Sequence, residues 1–227
     1  MKKVFISCGH GGNDPGAVKY IVEKEYTLKT GLELANILKS AGIDVMMSRT
    51  TDIETDLNEK VRRCNNYNPD LVVDVHYNAG GGAGFEIYHS RVGGVGKTLA
   101  ENIDAEMRKI MKSRGVKTKL GFGGLDYFAI IRDTDAPAVL CEGGFVDNKE
   151  DADFIEANYK RIARAYADGI LKTLNIAAPI ESTESEEDVW YKIQLKAYRN
   201  REYAEKYLKE LKAKYAEFSD AFITISK

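Results

Sequence analysis

The chain has 227 residues, 44% hydrophobic and 30% charged, enough for one medium domain with a full core and a smaller appendage. Its 33 basic and 35 acidic side chains leave a formal net charge of -2, without the basic footprint that a nucleic-acid binder needs. No stretch approaches the roughly 20 apolar residues that span a bilayer, so neither nucleic acid nor membrane insertion is expected.

The first segment, Met1 to His10, carries two lysines but an apolar run of only Val4 to Ile6, too short for the core of a signal peptide. Synthesis in the cytoplasm is expected. Val4 to Ser7 reads as a strand that leads into the glycine-rich stretch Ile6 to Ala17, which presents His10 in a turn open to water. A helix face follows at Leu28, Leu32, Ala35 and Leu38, spaced i, i+4, i+7 and i+10, with Gly42 as its stop and Ile43 to Met47 as the next strand.

Helix and strand continue to alternate through Leu57 to Tyr67, Leu71 to Val75, Phe85 to Tyr88, and the helix face of Leu99, Ile103, Met107, Ile110 and Met111. Phe128 to Ile131 and Ala138 to Cys141 read as the last strands, and a long helix runs through Phe154, Ile162, Tyr166, Ile170 and Leu174. This pattern predicts an α/β domain over 1–175, a twisted, mostly parallel sheet flanked by helices. An acidic linker without periodicity occupies 176–188. Beyond it, the alternation of Val189, Tyr191, Ile193, Leu195 and Ala197, the helix face of Tyr203, Ala204, Tyr207, Leu208 and Leu211, and the run Ala221 to Ile225 predict a small βαβ domain over 189–227. About 40 residues is the lower limit for independent folding, so this piece is expected to pair with a second copy or dock on the main domain.

Ligands of open α/β sheets gather outside the carboxyl ends of the strands. His10, His76 and Glu142 lie at such ends, beside the glycine-rich runs 80–84 and 121–124. Together with Glu23 they suggest a hydrolytic metal site: a catalytic zinc takes three ligands of the His and Glu type and leaves a fourth position for water. His10, Glu23 and His76 can supply that set, and Glu142 can move the proton. Each has another reading when taken singly. Glu23 suits a helix dipole, His76 a hydrogen-bonded half-buried histidine, Glu142 a salt bridge, and His89 a surface position. No His-Glu-x-x-His or paired Cys-x-x-Cys fixes a metal, and Cys8, Cys64 and Cys141, odd in number and widely spaced, read as reduced.

Five ordered motifs break this tie. Gly-His-Gly-Gly-Asn-Asp-Pro-Gly-Ala at 9–17, Glu-Lys-Glu-Tyr-Thr-Leu at 23–28, Ser-Arg-Thr-Thr-Asp at 48–52, His-Tyr-Asn-Ala at 76–79 and Pro-Ala-Val-Leu-Cys-Glu-Gly-Gly-Phe-Val-Asp-Asn at 137–148 resemble the zinc-dependent N-acetylmuramoyl-L-alanine amidases. The resemblance implies hydrolysis of the amide between N-acetylmuramic acid and L-alanine in peptidoglycan. It implies one zinc per chain on His10, Glu23 and His76, with Glu142 as catalytic acid/base and Asn78 beside the substrate. The register through Leu28 selects Glu23 over Glu25. Ser7 stands where the family usually has an aspartate, Asp74 where it has a small residue, and Lys60 where an arginine is common. Positions 74 and 76 share a strand face, so Asp74 is expected to replace the missing carboxylate as support for a ligand histidine.

The tail from Tyr191 to Leu208 resembles the first half of a SPOR domain, a peptidoglycan-binding βαβ repeat, which implies wall binding and a homodimer formed through this half fold. An amidase with a wall-binding tail and no export signal resembles a bacteriophage endolysin, made in the cytoplasm and acting on the wall after release. The sequence also admits three other readings. A nucleotide site at Gly93 to Thr98 lacks the first P-loop glycine, since Arg91 stands there, and reads instead as a turn that starts a helix. A wall-binding protein with an inactive site and a zinc peptidase acting on stem peptides are the remaining two.

Overall fold

A computed structural model describes residues 1–177 and 201–214, divided between two compact units, 1–180 and 181–227. In the first unit, β1 (Lys3–Cys8), β2 (Asp44–Met47), β3 (Leu71–Asn78), β4 (Phe85–His89), β5 (Ser113–Lys117) and β6 (Ala138–Phe145) form one sheet in the order β2-β1-β3-β6-β4-β5. Its neighbours pair parallel except β4 with β6, which are antiparallel, so the sheet is mixed at one side. The α/β architecture is the expected one.

The helices are α1 (Glu23–Ser40), α2 (Leu57–Tyr67), α3 (Val95–Met107), α4 (Ala129–Arg132) and α5 (Lys149–Leu174). Strand alternation sends Val4, Ile6, Val73, Val75 and Cys141 to one face, where they are buried with Leu34 and Leu38 of α1, Leu99 and Ile103 of α3, and Ile155 and Ile162 of α5. Phe5, Val72 and Leu140 point the other way and pack with Cys64 of α2 and Ile130 and Ile131 of α4. Strands apolar on both faces belong in the centre of such a sheet. The second layer is the smaller, and toward the carboxyl ends of β3 and β6 its apolar positions give way to Asp74, His76 and Glu142 on the same face. That exchange opens the site.

Helix ends follow local chemistry. Asp56 caps α2 by accepting from the Glu59 amide, and Asn148 caps α5 by accepting from the Asp151 amide. Asn175, at φ 54, ends α5 in the left-handed conformation. Gly94 precedes α3, so the Gly93 to Thr98 run is the helix-starting turn expected of it.

Three readings are corrected. Phe128 to Ile131 is no strand: Phe128 precedes the short helix α4, which turns Ile130 and Ile131 onto the sheet. The strand beyond β4 is β5, whose sequence Ser-Arg-Gly-Val-Lys carries one apolar residue. His89 is buried, not a surface residue, with Nδ1 2.7 Å from the Ser90 carbonyl. Cys8, Cys64 and Cys141 are free and buried. In the second unit α6 (Arg201–Lys214) forms where the tail helix was expected. The strands read at 189–197 and 221–225, and the linker beyond residue 177, lie outside the described residues. Among those residues no helix is long and apolar enough to cross a membrane.

Candidate active site

The β1 chain exits its strand at Cys8, and His10 follows in the left-handed region at φ 58, a conformation that a histidine holds only where its surroundings fix it. Those surroundings are specific. The Gly9 amide donates to the Val75 carbonyl at 2.9 Å, and the Gly9 carbonyl accepts from Thr27 Oγ1 at 2.7 Å and Arg49 Nη2 at 3.1 Å. Arg49, almost fully buried, also donates to the Lys24 carbonyl and Thr27 Oγ1, tying the turn to the first turn of α1. Ser48 Oγ accepts from the Cys8 amide at 2.9 Å.

Glu23 is the first residue of α1, and its carboxylate is spent on the site, not on its own helix end. Oε1 accepts from the Tyr77 amide and lies 3.0 Å from His76 Nδ1; Oε2 accepts from the Ala17 amide and lies 3.2 Å from His10 Nε2. One ligand atom from each of His10, Glu23 and His76 lies within 4.8 Å of the others. Two imidazole nitrogens and a carboxylate oxygen, so convergent, are a donor set that can hold a metal ion.

The histidine nitrogens facing away from the cluster also meet carboxylates. His10 Nδ1 is 2.7 Å from Asp14 Oδ2, and His76 Nε2 is 3.5 Å from Asp74 Oδ2. Carboxylates in these positions fix a ligand histidine's tautomer and orientation. Asp74 therefore lies where expected, beside His76, and Asp14 was not anticipated. Its only sequence signal is a spacing of four from His10, which an aspartate in a glycine-rich turn shares with ordinary turn residues.

The electrostatics agree with a site built for a cation. Burial alone would raise the Glu23 carboxyl, but hydrogen bonds with His10 and His76 outweigh it and hold the group well below the usual carboxylate range. Burial would lower the His76 imidazole, yet the charge and proximity of Asp74 and the contact with Glu23 leave it well above its ordinary value. The His10 imidazole is raised, chiefly by Glu23. Three carboxylates thus draw positive charge onto two imidazoles.

Glu142 lies directly across from His76 in the register of β3 and β6. Its Oε2 is buried with no hydrogen-bond partner among the described residues, and burial pushes its carboxyl up to about 7. Both residues line a cleft of about 370 Å³ that also reaches His10, Lys60, Asp74 and Phe128. Lys60 donates to the Cys8 carbonyl at 3.1 Å from the wall of that cleft. Asn78, at the end of β3, donates to Glu86 Oε1 at 3.0 Å. Glu86 stands opposite Glu142 on β4, and nothing in its strand sequence announced it.

The mixed sheet with an acidic group beside a His, Glu, His cluster is the layout of a hydrolase, and comparison with known proteins gives the family. The family model described as N-acetylmuramoyl-L-alanine amidase matches residues 4–172, and a SPOR domain model matches residues 157–224, starting within α5. The chain belongs to the N-acetylmuramoyl-L-alanine amidase family. It is 34% identical over 222 residues to N-acetylmuramoyl-L-alanine amidase CwlM of Bacillus licheniformis, covering 94% of this chain and 82% of that one. It is 34% identical over 188 residues to the endolysin of Bacillus phage SPP1, covering 77% of this chain and 67% of that one. Among solved structures, the catalytic domain of CwlV, an N-acetylmuramoyl-L-alanine amidase from Bacillus (Paenibacillus) polymyxa var. colistinus, superposes with a TM-score of 0.70. That match has 30% identity and covers 78% of this chain and all of that one.

Proposed function

We propose that this protein hydrolyses the amide between the lactyl group of N-acetylmuramic acid and the L-alanine of the stem peptide, opening the bacterial cell wall. The observation that carries the reading is the placement of Glu142, whose buried oxygen has no partner among the described residues, directly across from His76 in a cleft that His10 and His76 line, two members of the three-donor cluster.

His10, Glu23 and His76 would hold one zinc ion, the metal that a nitrogen and oxygen donor set of this kind suits. When bound, zinc supplies a Lewis acid that polarises a carbonyl and lowers the pKa of water. Asp14 and Asp74 hold the two histidines in the orientation that points their free nitrogens inward. Glu142, with a carboxyl near neutrality, accepts a proton as water adds to the amide carbon and delivers it to the alanine nitrogen as the C–N bond breaks. Asn78, two residues beyond His76 on β3, would contact the substrate beside Glu142.

The SPOR match supports wall binding by the second unit, and a homodimer through that unit is part of the proposal. A lytic role at the cell wall is supported by the similarity to the phage SPP1 endolysin, with synthesis in the cytoplasm preceding release. The experiment is product analysis on purified peptidoglycan. An amidase frees stem peptides with new L-alanine amino termini and leaves glycan without peptide. New amino groups at other residues would establish a peptidase instead, and binding without release would establish an inactive wall-binding protein.

A further inference from the structure

A row of charged side chains crosses the sheet from the cluster to its edge. His76 on β3 faces Glu142 on β6, and Glu142 faces Glu86 on β4. Glu86 Oε2 then lies 2.6 Å from both Arg114 Nε and Lys117 Nζ on β5. Facing cross-strand residues share a face, so both cations come back over the sheet on the side where Glu142 stands.

Glu86 is more than matched. Its Oε1 also accepts from Asn78 and from the Tyr88 hydroxyl at 2.7 Å, and although burial alone would raise its carboxyl, these donors bring it down to about 2. One ionised carboxylate therefore holds two cations, a surplus of positive charge. Arg114 uses only Nε here. Its two terminal amino groups have no hydrogen-bond partner among the described residues, and the guanidinium lies 5.0 Å from the centre of the Phe145 ring. Arg114 and Lys117 are each about a third exposed, so their remaining donors can meet solvent or a ligand. A planar guanidinium beside an ammonium is a receptor for a carboxylate.

From this geometry we infer that Arg114 and Lys117 form a subsite for a free carboxylate on the stem peptide, one residue beyond the L-alanine whose amide is cut. The inference rests on the amidase reading. In peptidoglycan that residue is D-glutamate joined through its side chain, which leaves its α-carboxylate free unless it is amidated. Two extended residues span about 7 Å, and adjacent strands are about 4.8 Å apart. The cationic heads, drawn back to Glu86 on the strand next to Glu142, fall within that reach. Glu86 positions them, and the pair selects which stem peptides enter productively.

The test compares two soluble muropeptides that differ only in carrying D-glutamate or D-isoglutamine at the second position. The wild type is expected to cleave the free-carboxylate substrate with a kcat/KM roughly tenfold higher, through KM. Arg114→Gln with Lys117→Gln should bring the ratio to about one. The triple variant that adds Glu86→Gln should do the same while leaving no unpaired buried charge, which separates lost selectivity from lost folding. A wild-type ratio near one, or a ratio retained in both variants, overturns the subsite. Failure of the wild type to cleave either substrate removes the amidase reading and the subsite with it.

Discussion

The rings of His10 and His76 meet edge to face, 5.0 Å between centroids and 81° between planes, with the Glu23 carboxylate touching both. The approach depends on two residues without side chains. A Cβ on Gly9 would lie 2.3 Å from His76 Cε1, and one on Gly16 would lie 2.6 Å from both Glu23 Oε2 and His10 Cδ2. Alanine at either position must displace a side chain of the His10, Glu23 and His76 cluster.

Gly9→Ala is therefore expected to weaken zinc binding roughly tenfold or more, since small displacements at such centres are expensive. Competition against a chelating dye measures it. Affinity equal to wild type would show that His76 can move without loss.

Asp14→Asn and Asp74→Asn keep shape and remove the charge behind each histidine. Each should cost about 10- to 100-fold in metal affinity, as outer carboxylates on ligand histidines generally do. Titration calorimetry of the metal-free chain with zinc decides. No change in Asp74→Asn would reduce that residue to a buried neighbour.

Glu142 gives a pH signature in the metal-free chain. Its carboxyl stands at about 7 in the folded protein against an ordinary 4.5, so the folded state holds the proton more tightly. The contribution is fully present below about pH 4 and is lost as pH rises through 7. Glu142→Gln should consequently be more stable than wild type at pH 8, by on the order of 2 kcal/mol, with no such gain at pH 4. Urea unfolding at the two pH values measures this, and an equal effect at both would contradict the burial of that charge.

Burial pushes the Cys8 and Cys64 thiols up to about 12 and Cys141 well above its ordinary value. Thiolate is the reactive form, so native protein at pH 8 should resist iodoacetamide, whereas urea-unfolded protein should take up three equivalents, one for each cysteine. Mass spectrometry counts them.

Elements with many periods were legible. α1 was legible as a helix but its face was half misplaced: Ala35 and Leu38 are buried, whereas Leu32 is exposed and Leu28 half-buried, and the buried stripe runs instead through Tyr26, Thr30, Leu34 and Leu38. β3 was legible as an apolar run from Leu71 to Val75 broken only by Asp74. β5 was missed because an edge strand with a single apolar residue has no alternation to read, and its pairing with β4 comes from tertiary packing. Phe128 to Ile131 was misread because four apolar residues are too few to separate period 2 from period 3.6. The two histidines and Glu142 were visible as polar residues at the ends of apolar strands. Asp14 was not, because it resembles a turn residue until the turn folds it against His10. Arg49 reaches Gly9, 40 residues before it, and Glu86 reaches Arg114, 28 residues after it, and no local pattern encodes those two contacts.

Zinc content and peptidoglycan release, measured side by side for wild type and Glu142→Ala, test the central claim. The account predicts about one zinc per chain in both proteins and separation of glycan from stem peptide by the wild type alone. Activity retained in Glu142→Ala, or wild type active without metal, would contradict it.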